Sequence, residues 1–78
     1  MTEDQMAALA AEALAEIKLK IRAVGISRAL GGAPTPQAVG QWTRVPAEYC
    51  LRLEEASGVS RYRQRPDVYG PEPEAPNA

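Results

Sequence analysis

Apolar residues recur at Ala7, Ala10, Leu14, Ile17, Ile21 and Val24, at spacings of 3, 4, 3, 4 and 3, which places them along one stripe of a helix. Thr2 with Gln5 three residues later has the form of a capping box, and Glu3 and Asp4 suit the positive end of the helix dipole. The pattern predicts a long first helix broken at Gly25 and a short second helix from about Ile26 to Leu30. A third helix follows a Gly/Pro turn. Thr35 can cap it through its hydroxyl, and Pro36 suits the first helical position because its missing N–H would go unbonded there in any case. Val39 and Trp42, three apart, form its inward stripe. Pro46 opens a fourth helix with Cys50 and Leu53 facing the core, and Gly58 is its natural C-cap. Val59 returns to the core, and Ser60 caps one more turn before Pro66. The acidic, proline-rich end has too little apolar surface to fold. The expectation is an all-α domain of four to five helices over 1–69 and a disordered tail over 70–78.

The outer face of the third helix carries the candidate chemistry. With Val39 and Trp42 turned inward, Gln37, Ala38, Gln41 and Arg44 fall on the flanks or the outer surface of Thr35–Arg44. Gln can bond bidentately to adenine N6 and N7, Ala can touch a thymine methyl, and Arg can pair with guanine or a phosphate. These side chains suit a base-reading surface, although the same residues also make an ordinary solvated face. Gly40 lowers helix propensity by about 1 kcal/mol relative to Ala, so it suggests close approach by either a DNA backbone or a neighbouring helix.

The runs QAVGQW at Gln37–Trp42, RVPAEYC at Arg44–Cys50, GVSRY at Gly58–Tyr62 and RPDVY at Arg65–Tyr69 resemble the small phage Cro and YdaS-type helix-turn-helix repressors. The resemblance covers Thr35 to Tyr69 and extends more loosely back to Ile21. It implies a lambda-repressor-like domain in which the first helix of the motif crosses the DNA backbone and the second enters the major groove, from a dimer on a partly palindromic site. By that resemblance Thr35, Gln37, Ala38, Gln41 and Arg44 inherit the DNA-contacting role, and Arg28 and Arg61 complete the candidate set. Two departures stand out. Leu30-Gly31 is followed by Gly32, Ala33, Pro34, Thr35 and Pro36, a turn about two residues longer than the family's. Gln64 stands where the family has an apolar residue, which predicts a looser closing turn.

With 78 residues there is room for one compact core. A single cysteine excludes an internal disulfide, and the absence of histidine leaves no Cys/His zinc set, so no metal or cofactor is implied. Cys50 reads as a small core residue and the chain as non-enzymatic, because no acid, base or nucleophile set is present. The acids at the start and the charges at Glu12, Glu16, Lys18 and Lys20 argue against a signal peptide or membrane span, so a cytoplasmic protein is expected. The net charge of -1 hides a segregation, since Ile17 to Pro66 hold all nine cations against three acids, a net +6, while the flanks are acidic. A basic centre supplies the phosphate attraction that DNA binding needs, although scattered surface arginines would give the same sum.

The sequence therefore points to a phage or mobile-element regulator that binds double-stranded DNA as a homodimer and acts by operator occupancy. An alternative is a helix-turn-helix-derived module, antiactivator or antitoxin-like, that captures a regulatory protein through Ala7, Leu14 or Ile21. The long apolar first helix serves either a dimer seam or packing within one chain.

Overall fold

The computed structural model describes residues 2–70. The elements are α1 (Glu3–Ala29), α2 (Pro36–Gly40), a 3-10 turn (Ala47–Tyr49), α3 (Cys50–Ser57), α4 (Arg61–Gln64) and α5 (Pro66–Tyr69). The domain is all-α, with no strand among the described residues. Apart from Gly70, the expected disordered tail over 70–78 lies outside the described residues. Among those residues no helix is long and apolar enough to cross a membrane.

The start of α1 is the capping box that its sequence calls for. Thr2 Oγ1 accepts from the Gln5 amide at 3.1 Å, and Gln5 Oε1 accepts from the Thr2 amide at 2.9 Å. The helix does not run through to Gly25, however. Arg22 adopts φ 64°, ψ 169°, so α1 is two helical segments, 3–21 and 23–29, meeting at an angle. Gly25, the expected breaker, lies inside the second segment. A Cβ there would stand 2.9 Å from Ile21 Cβ, so the missing side chain allows the close approach to Ile21 across the break.

The break also resets the buried stripe. Ala10, Leu14 and Ile17 are buried as expected and Ala13 joins them, but Ala7 is exposed and Ile21 only partly covered. Beyond Arg22 the helical phase of the first segment no longer applies, which leaves Val24 half-exposed and buries Ile26, Ser27 and Leu30 instead. These residues close a single core with Val39, Val45, Cys50, Leu53 and Val59, and α1 packs against every later helix.

The second half of the chain follows its punctuation. Pro46 leads into the 3-10 turn, which passes directly into α3. Gly58 ends α3 in the left-handed conformation at φ 78°, and Ser60 Oγ accepts from the Tyr62 amide at 3.1 Å. Gln64, the residue behind the expectation of a looser closing turn, is drawn into the core. Its side chain is fully buried, and Nε2 donates to the carbonyls of Cys50 at 3.2 Å and Val59 at 2.9 Å. Nε2 thus ties α4 to two backbone acceptors, while Oε1 is buried with no hydrogen-bond partner among the described residues, which offsets part of that gain.

Cys50 is buried within this core, and the lost hydration pushes its thiol up from 9.0 to about 11, partly opposed by Arg65. The neutral thiol therefore supports the fold fully below 9.0, and this contribution disappears as pH rises towards about 11. Cys50→Val should flatten the alkaline loss of stability, which denaturant midpoints measured on either side of that window will reveal. A second substitution tests the break. A non-glycine residue at the Arg22 geometry costs about 1–3 kcal/mol, against about 0.5–1 kcal/mol for the extra chain entropy of glycine. Arg22→Gly should accordingly raise the urea midpoint, by roughly 0.5–2 kcal/mol in stability.

Candidate nucleic-acid interface

The candidate reading element is α2, and its first turn forms as the sequence requires. Thr35 Oγ1 accepts from the Ala38 amide at 3.3 Å, and Pro36 occupies the first helical position. Gly31 and Gly32, at φ 87° and 96°, turn the chain away from α1 before Pro34 and Pro36. The helix is shorter than the expected Thr35–Arg44, ending at Gly40 with Gln41 as its C-cap. Two constraints stop it. Trp42 turns inward to stack on Tyr49, with centroids 5.9 Å apart and planes at 17°, and Pro46 disfavours helical geometry at the buried Val45.

Both expected anchors hold the element down. Val39 is fully buried, and Trp42 packs against the core with part of its ring exposed. Thr35, Gln37, Ala38, Gln41 and Arg44 are all exposed. Gln41 keeps near-helical angles, φ -91° and ψ -5°, so it remains on the stripe of Gln37 four residues earlier. Ala38 lies beside them. Nothing lies within 4 Å of where a Cβ on Gly40 would stand, so no neighbouring helix requires this glycine.

The arginines divide into different settings. Arg28 is exposed in the last turn of α1 and forms no ion pair among the described residues. Arg44 lies beyond α2, half-exposed, with Nη1 3.7 Å from Asp67 Oδ2. Arg61 belongs to a separate cluster. Its guanidinium bonds Glu54 Oε1 at 3.4 Å and Tyr62 OH at 3.3 Å, and sits 5.0 Å from the Tyr62 ring centre. Its amide also donates to Glu54 Oε2 at 2.6 Å, so the residue joins α3 to α4.

Arg65 and Asp67 carry no candidate role in the sequence reading, and the signal that points to them is the RPDVY run that contains both. Arg65 Nε and Nη2 donate to the two oxygens of Asp67 at 2.9 and 2.8 Å, and Nη1 donates to the Val45 carbonyl at 3.2 Å. The Arg65 hydrogen bond is the main reason that the Asp67 carboxyl is held below its ordinary range, with Arg44 adding a smaller pull.

The basic centre is also quieter than its sum suggests. Five of the nine cations, Lys20, Arg44, Arg61, Arg63 and Arg65, lie in ion pairs among the described residues. Glu16 meets Arg63 at 2.7 Å and Asp67 meets Arg65 and Arg44, so acids from both flanks fold onto the centre. Lys18, Arg22, Arg28 and Arg52 remain outside ion pairs within the described residues.

The family model of bacterial toxin YdaS matches residues 17–73, most of the chain. No curated protein and no solved structure matches it.

Because the space around Gly40 is open, Gly40→Ala should fold normally and raise the melting temperature, by up to about 1 kcal/mol in stability. A lower melting temperature would show that the position is crowded from within the chain.

Proposed function

The chain belongs to the YdaS family, and from that premise we propose that it is a sequence-specific DNA-binding regulator that reads duplex DNA through α2. The observation that carries this reading is the division of α2 into two sides. Val39 is buried beneath it while Gln37, Ala38 and Gln41 stand in solvent together, with open space at Gly40. A helix held from below with free amides above can enter a major groove, and glutamine amides there discriminate adenine. Thr35 and Arg44 flank this surface, and Arg28 adds an exposed cation from the preceding helix. The action is steric: two copies on a partly palindromic operator exclude polymerase from an overlapping promoter. Arg61 contributes chiefly by holding α3 and α4 together.

A protein-capture role is the second reading. It is favoured by the exposed Leu19 on α1, at 81 % of its full accessibility, and by the pairing of flank acids with central cations. Leu14 is buried in the core and Ile21 packs against it, so such a partner would meet the exposed Leu19 instead.

Selection of bound sites from a random duplex pool separates the two. DNA reading predicts a consensus with half-sites about one helical turn apart, and Gln41→Ala should weaken binding to it by about 1–3 kcal/mol with the melting temperature unchanged. No recovered consensus, together with a protein partner retained by the purified chain, would favour capture.

A further inference from the structure

We propose that Arg65 is a positioning residue that fixes the segment carrying Arg44 against the DNA backbone, without itself touching DNA. The inference rests on the DNA-reading proposal and assigns a task to the RPDVY run. Arg65 is the least exposed of the ion-paired cations, its side chain only 14 % accessible, so it is poorly placed to meet a phosphate. All three nitrogens of its guanidinium are instead committed within the chain. Nε and Nη2 grip Asp67 as a fork, and Nη1 reaches across twenty positions of sequence to the carbonyl of Val45. Val45 is the residue next to Arg44, and its side chain is buried, so this backbone is pinned from both sides. Asp67, oriented by the fork, then lies 3.7 Å from the Arg44 guanidinium and holds it at the margin of the reading surface.

The geometry directs Arg44 to a phosphate in preference to a base. It lies three residues past the Gln41 cap, outside the helix that would enter the groove, where flanking segments of such motifs meet the backbone. Asp67 does not cancel this role, because its charge is already matched by Arg65 in the closer, two-bonded pair. Arg44 is therefore ordered by a weak contact that a phosphate can replace.

Arg65→Lys tests the assignment, because it keeps the charge and so the general attraction to DNA, but loses the fork that bridges Asp67 and Val45. Binding is measured for the full chain on its selected duplex and on an unrelated duplex, alone and combined with Arg44→Ala. Arg65→Lys should weaken both duplexes alike, by about three- to tenfold for one displaced charged contact, and should cause no further loss once Arg44 is alanine. An equal loss in both backgrounds would indicate general damage to the fold and overturn the positioning role, as would a loss confined to the selected duplex. If the unsubstituted chain binds no duplex, the DNA reading fails and the positioning role falls with it. A second measurement applies even if Arg65→Lys does not fold. In the free, unsubstituted protein the Arg44 Nε–H should be more ordered by NMR relaxation than that of Arg28, and equal mobility would overturn the proposal.

Discussion

The break at Arg22 is the constraint on which the rest of this molecule depends. An unbroken α1 of 27 residues would be a rod about 40 Å long, with Ile17 and Ile26 on different parts of its circumference. Turning the chain at a single left-handed residue brings both into one core, where Val39, Val45 and Leu53 can cover them. The strain at Arg22 is offset by this burial, since a fully covered Ile or Leu contributes about 1.5–3 kcal/mol and the turn covers both Ile26 and Leu30. Every later helix packs on α1, so the placement of α2 is inherited from this angle.

The features most legible in the sequence were those set by local chemistry. Thr2 with Gln5, Thr35 with Pro36, Gly58 and Ser60 each mark an end of a helix by supplying or permitting one particular hydrogen bond or backbone angle, and each does so in the structure. The buried positions of Val39, Cys50, Leu53 and Val59 were legible as well, because inward spacing and residue type agree there. Sequence pattern and structure part where tertiary packing outweighs local preference. Gly25 has the propensity of a breaker, but the break falls three residues earlier at an arginine, and the glycine serves the close approach to Ile21. The third helix has periodicity enough to reach Arg44, but the stacking of Trp42 on Tyr49 and the burial of Val45 end it sooner. Gln64 reads as a misplaced polar residue until its two carbonyl partners, 14 and 5 positions away, come into reach.

Charge was legible as a sum and not as a surface. A +6 centre between acidic flanks describes the order of residues along the chain, whereas folding places Glu16 against Arg63 and Asp67 between Arg44 and Arg65. Such pairs are worth little individually when exposed, but they decide which cations present an unmatched field. Lys18, Arg22, Arg28 and Arg52 retain one within the described residues, so an unmatched positive field arises from α1 and α3.

The stacked pair of Trp42 and Tyr49 has a consequence beyond packing. Trp42 is the only indole in the chain, it follows directly after Gln41, and part of its ring meets water. Its excited state therefore senses the polarity at the rim of α2 with no other emitter of its kind to obscure the signal. Whatever displaces solvent from that rim alters the colour and intensity of the protein's own fluorescence, so the molecule carries an intrinsic optical probe beside the exposed side of α2.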